Sequence, residues 1–133
     1  MTKLMELSKA VSLIQDGDLL GIGGNALNRV PVALCCEIVR QQKKALRLLT
    51  TAGSLDVDML CLAGCAQSVD TAFVSYETEF GAANHYRKAV QAGLVKANEH
   101  SCYTLISGLR AAAAGLPFMP VFGLKEGQLL EVC

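Results

Sequence analysis

Main-chain amides, more than any cluster of ionisable side chains, are the first chemistry this sequence offers. The stretch Gly21-Ile22-Gly23-Gly24-Asn25-Ala26-Leu27-Asn28-Arg29-Val30-Pro31 places a glycine pair where a buried strand, Asp18 to Ile22, hands over to a helix opened by Pro31. Glycine admits positive φ and carries no Cβ, so a ligand can approach the backbone there. A proline at the first helical position gives up only an N–H that has no partner within the helix. A tight strand-to-loop turn with no further role would use the same residues.

Other constellations are weaker. Gly21-x-Gly23-x-x-Ala26 matches the dinucleotide fingerprint, but Pro31 marks a later helix start, and the next strand ends in Thr50-Thr51 where an acidic residue is expected. Glu77 and Glu79, two apart at a strand exit, could share a face as an acid–base pair; alternating charges at a strand end are more often solvated. Cys61 and Cys65 could share a helix face, yet there is no Cys-x-x-Cys, and His85 and His100 stand alone. No metal site is expected, because structural zinc needs four converging ligands. The six cysteines lie in apolar or small-residue surroundings and read as core hydrophobes, not as a secreted disulfide framework.

Composition bounds the classes. The 133 residues suit one globular domain, 1–133, able to bury a core without staples. Twelve basic residues balance twelve acidic ones, which argues against a nucleic-acid partner. The longest apolar candidate, Ala111 to Leu124, is broken by Pro117 and Pro120, so no membrane span is expected. Glu6, Lys9 and Asp16 interrupt any export signal, and a cytoplasmic location follows as the expectation.

The elements that must position these residues alternate between apolar runs and helical spacing. Ser8 can cap a first helix that ends at Asp16-Gly17. Strand Asp18–Ile22 follows, then a helix from Pro31 through Val32, Leu34, Cys35, Ile38 and Val39. Strand Ala45–Thr51 leads to helix Asp56–Leu62, and strand Ser68–Tyr76 to helix Ala83–Ala92. Strand Leu94–Asn98 leads to helix Tyr103–Ala114, and a fifth strand is expected at about Pro117–Val121. The class is α/β, an open, mainly parallel sheet with helices on both faces. In such sheets ligands bind outside the strand C-termini, so the candidate site wall is Gly23 to Asn28, Thr51 to Ser54, Ser75 to Glu79 and Glu99 to Cys102.

A broader match runs along the chain. Asp16-Gly17, Gly23-Gly24, Asn28-Arg29-Val30-Pro31, the Thr51-Ala52-Gly53 turn with Leu55-Asp56-Val57-Asp58, and Glu79-Phe80-Gly81 precede Ser101-Cys102-Tyr103-Thr104-Leu105. With Gly108-Leu109-Arg110-Ala111-Ala112-Ala113-Ala114-Gly115-Leu116-Pro117-Phe118-Met119-Pro120, this resembles the A subunits of family I CoA-transferases, glutaconate CoA-transferase among them. The resemblance is to the N-terminal part of such a protein, so the fold is expected to be incomplete, with sheet edge or apolar helix surface left for a partner. It implies a hetero-oligomer in which a B subunit supplies a nucleophilic glutamate, with an acyl-CoA thioester and a carboxylic acid as substrates and no permanently bound cofactor. Attack of that glutamate gives an acyl-glutamyl anhydride, then a glutamyl-CoA thioester.

Each step develops negative charge on a carbonyl oxygen, and the N–H groups of Gly23 and Gly24 become the expected oxyanion donors. Asn25, Asn28, Thr51, Gly53 and Ser101 are the expected substrate contacts. Asn25 departs from the aromatic residue usual in the family. Its amide could bond a substrate carboxylate or carbonyl, or simply cap the loop. A hydrolase branch that acts on CoA thioesters in steroid breakdown uses an A-subunit carboxylate near this segment, which makes Glu99 the candidate for that role. Cys102 is disfavoured as a nucleophile, having no neighbour to lower its pKa. An assembly module without catalysis is the remaining alternative.

Overall fold

The computed structural model describes residues 4–77 and 79–122. Five helices and four strands alternate: α1 (Leu7–Ser12), β1 (Leu19–Gly21), α2 (Val32–Arg40), β2 (Leu46–Gly53), α3 (Leu55–Leu62), β3 (Ala66–Val74), α4 (Asn84–Gln91), β4 (Lys96–Glu99) and α5 (Cys102–Ala113). The strands form one sheet in the order β1-β2-β3-β4, every pair parallel.

Alternation along β2 explains the layering. Leu46, Leu48, Thr50 and Ala52 are buried, while Arg47 is exposed and Leu49 and Thr51 are half-buried. Leu48 pairs with Val69, and both are fully buried in a core shared with Val11, Ile38, Val57 and Leu60. Strand order 1-2-3-4 with right-handed crossovers puts α2, α3 and α4 on the same face, and α1, α2, α3 and α4 indeed touch in sequence. Helix α5 instead rests on β2 and β3, and its buried Leu105 and Ala111 are outside that core. Helices therefore cover both faces.

Three details differ from the sequence reading. Helix α1 starts at Leu7 with Glu6 at its N-cap, so Ser8 lies within the helix, and it ends at Ser12; Asp16-Gly17 serves a later turn in which Gly17 N–H donates to Lys44 O (3.1 Å). Pro31 occupies the N-cap of α2, one place before the first helical residue. The stretch Pro117–Val121 is not a strand: it pairs with nothing among the described residues. Two prolines lack the N–H that a ladder needs, and Phe118 stands 73% exposed. Gly123 to Cys133, where the sequence offers no completing element, lie outside the described residues.

Candidate active site at the strand C-termini

Because all four strands are parallel, their C-terminal ends form one edge, and the loop Ile22–Val30 lies along it beside β2. Ile22 N–H continues the ladder to Leu49 O at 2.9 Å. Asn25 and Asn28 then close a tight reversal with reciprocal bonds, Asn25 N–H to Asn28 O at 3.0 Å and Asn28 N–H to Asn25 O at 2.9 Å. Between them, Ala26 is buried at φ 48° and bonded at both backbone groups: its N–H donates to Ala52 O (3.0 Å), and its carbonyl accepts from the Ser54 hydroxyl. Ser54 occupies the N-cap of α3, yet its hydroxyl is committed to Ala26, and its own N–H donates to Asp56 Oδ1 at 2.8 Å.

The glycine pair sits between these anchors. Neither Gly23 N–H nor Gly24 N–H has an acceptor among the described residues, although Ile22, Asn25, Ala26 and Asn28 all donate. Gly24 has φ +121°, and a Cβ there would lie 3.2 Å from Arg29 O, Asn28 O and Val30 Cα, so the position demands glycine. Gly23 has open space around it. Both border a cavity of about 580 Å³, lined also by Asn25 and Arg29 and by apolar groups of β1 and α2 such as Leu20, Leu34 and Ile38. Among the described residues Arg29 is its sole charged lining residue. Two adjacent free donors on residues that line an apolar cavity are suited to an anionic or carbonyl oxygen.

Of the expected substrate contacts, Asn25, Asn28 and Gly53 meet at this loop. Gly53 ends β2, where a Cβ would stand 2.6 Å from Val57 Cγ2; its carbonyl accepts from Ser75 N–H at 3.0 Å. Thr51, half-buried, is one strand away from the loop's origin. Glu99 and Ser101 are not brought to it: β4 is three strands from β1, about 14 Å at ordinary strand spacing. Ser101 is engaged as the N-cap of α5, accepting from Thr104 N–H at 3.0 Å in a reciprocal capping box. Glu99 is exposed at the end of β4, in register with Thr71, and next to it His100 Nε2 lies 3.1 Å from Asp70 Oδ1.

The sequence offers Asp56 and Asp58 as part of the family resemblance and Tyr76 as part of the site wall, but not the positioning roles that they have in the structure. Asp56 and Asp58 are buried in the first turn of α3, where carboxylates favour a helix N-terminus. Asp58 accepts from Tyr76 OH (2.7 Å) and from Tyr86 N–H (2.8 Å), joining β3's exit to α4. Burial, then the Asp58 carboxylate, pushes the Tyr76 phenol up from its ordinary value. The spacing Ser54-x-Asp56 hints at a helix start, but the tie from Ser54 to Ala26 spans 28 positions and has no local signature. For the dinucleotide alternative, α2 begins at Val32, well after Ala26, so no helix N-terminus faces the Gly21-x-Gly23-x-x-Ala26 turn. No helix among the described residues is long and apolar enough to cross a membrane, and they contain no cluster suited to a metal ion.

A family model described as Coenzyme A transferase matches residues 4–124. The A subunit of the 3-oxoadipate CoA-transferase of Pseudomonas knackmussii is 34% identical over 122 residues, 89% of this chain and 43% of that protein. The cholesterol ring-cleaving hydrolase IpdA subunit of Rhodococcus jostii is 34% identical over 119 residues, 90% of this chain and 40% of that protein. The crystal structure of glutaconate coenzyme A-transferase from Acidaminococcus fermentans superposes with a TM-score of 0.91 at 29% identity, covering 98% of this chain and 41% of that one. The chain thus spans less than half the length of these relatives.

Proposed function

The chain belongs to the coenzyme A transferase family, and on that footing we propose that it is the A-subunit component of an enzyme moving CoA between an acyl-CoA thioester and a carboxylic acid. The observation that carries the reading is the pair of unpartnered N–H groups at Gly23 and Gly24, fixed beside a cavity by the anchored Ala26. CoA enters as substrate, and no resident cofactor is required. The thioester carbonyl is attacked by a glutamate of a partner B subunit. The carbonyl oxygen takes the negative charge, the CoA thiolate leaves, and an acyl-glutamyl anhydride remains. The thiolate then attacks the glutamyl carbonyl of the anhydride and releases the donor's carboxylate, which leaves CoA on the glutamate for the acceptor acid. The glycine pair would hold the oxyanion formed at each attack, a contribution of roughly 3 kcal/mol per donor. Residues 1–133 act as one α/β unit corresponding to the N-terminal part of the family's A chain, working in a cytoplasmic hetero-oligomer.

A second reading, hydrolysis of a CoA thioester, draws on the similarity to the ring-cleaving hydrolase. Glu99 would then be the carboxylate that activates water, 14 Å or so from the glycine pair by strand spacing. Co-expression with a family B subunit, sizing of what co-purifies, and an acyl-CoA-to-acetate assay separate the readings. CoA appearing on acetate supports the transferase, and free CoA with no acetyl-CoA supports the hydrolase. A stable complex doing neither leaves an assembly module.

A further inference from the structure

The loop bearing the glycine pair has a second fastening, at the surface. Asn28 Nδ2 donates to Glu77 Oε1 at 3.3 Å, joining the exit of β1 to the exit of β3 over the end of β2. A carboxylate only accepts, so the NH₂ of Asn28 must face Glu77, which fixes the amide's orientation. Asn28 is also the partner of Asn25 in the reversal, and its carbonyl is among the groups a Cβ at Gly24 would meet. A pull on Asn28 therefore bears directly on Gly24.

Glu77 is itself held in place. Its φ of 76° is one that non-glycine residues seldom adopt, and it persists only where neighbouring contacts impose it. Here Tyr76 N–H donates to Gly81 O (3.0 Å), Gly81 N–H to Glu77 O (3.1 Å), and Ser75 N–H to Gly53 O (3.0 Å). The reversal carrying Glu77 is thus moored to β2, as Ala26 is.

We propose that Glu77 is a positioning residue for the Gly23-Gly24 pair, acting through Asn28. What the pair does rests on the transferase reading; how it is held does not. Glu77 keeps the Asn25–Asn28 reversal closed, and with it the direction of the two free N–H groups.

Amide hydrogen exchange by NMR on the chain alone tests the fastening. In Glu77→Ala the Asn25 and Asn28 amides exchange about threefold to tenfold faster, as expected for one ordinary hydrogen bond, while Leu48 in β2 is unchanged. Glu77→Gln keeps an acceptor and stays near wild type. Asn28→Asp sets two carboxylates together and speeds exchange; adding Glu77→Gln restores a donor and reverses it. In the complex with a B subunit, Glu77→Ala lowers kcat for CoA transfer from acetyl-CoA with KM little changed, and Glu77→Gln recovers it. Unaltered amide exchange in Glu77→Ala overturns the proposal, as does faster exchange with unaltered kcat, or Glu77→Gln as impaired as Glu77→Ala. A wild-type complex without CoA transfer would instead overturn the transferase reading, and the amide exchange still decides the fastening.

Discussion

The hydroxyl of Ser54 donates to the carbonyl of Ala26, both residues buried, so the first residue of the α3 cap holds a loop that left the sheet one strand earlier. Ser54→Ala leaves that carbonyl without its donor away from water, at a cost of about 1–3 kcal/mol. Urea unfolding measures the loss, and turnover of the complex falls with it because the glycine pair is no longer held.

Gly53→Ala brings a Cβ against the fully buried, β-branched Val57. Overpacking of this kind costs about 1–3 kcal/mol. Val57→Ala in the same chain makes room, so the double variant is expected to be less destabilised than the two single losses added together. Additive losses would show that the two side chains do not meet.

The two glycines of the pair are expected to respond unequally. Gly24→Ala forces a side chain into a conformation at φ +121° that costs about 1–3 kcal/mol, and displacement of the N–H reduces kcat about a hundredfold. Gly23→Ala keeps its N–H and meets no neighbour, so folding and turnover stay close to wild type. Equal losses at both positions would contradict the assigned roles.

Thiol chemistry follows burial. Desolvation, reinforced by Asp56 at Cys35 and by Asp58 at Cys61, pushes both thiols up to about 12 from an ordinary 9.0. Iodoacetamide at pH 8 with mass spectrometric mapping is expected to find Cys36 and Cys102, which are exposed, and to spare Cys35, Cys61 and Cys65; Cys133 is outside the described residues. Below pH 9 both folded and unfolded chains keep these protons and the two thiols leave stability unaffected by pH. Above it only the unfolded chain releases them, so stability falls between pH 9 and 12 by up to about 1.4 kcal/mol per pH unit for each thiol.

Ser101 allows two roles to be separated. Ser101→Ala removes the α5 cap, worth about 1 kcal/mol, whereas Ser101→Asp can still accept from Thr104 N–H. If Ser101 also contacts substrate, Ser101→Asp keeps the melting temperature and loses turnover. Retention of both confines it to capping.

What the sequence made legible was the periodic part of the fold. Four strands and five helices lie within a few residues of their expected bounds, because burial on one face of a helix or strand leaves a repeating trace. The family resemblance is matched over 4–124. The misses have physical causes. Pro117–Val121 has strand-like apolarity, but a strand exists only by pairing, and two of its five residues are prolines. The grouping of Gly24, Asn28 and Gly53 follows from parallel order, whereas the distance of Glu99 and Ser101 from them depends on strand sequence within the sheet. The ties Ser54 to Ala26, Tyr76 to Asp58 and Asn28 to Glu77 join residues 28, 18 and 49 positions apart, where no local pattern announces a partner.

The order β1-β2-β3-β4 has a consequence for how the chain acquires its shape. Each strand finds its neighbour in the one made just before it, so every sheet contact closes a short stretch of backbone and little entropy is lost at each step. The unit can therefore grow vectorially as it leaves the ribosome, adding one strand and its helix at a time. The loop at the first strand is the exception: it waits for Ser54 and then Glu77 to arrive, so its fastening is completed only after β3 has been made, while α4, β4 and α5 are still to come.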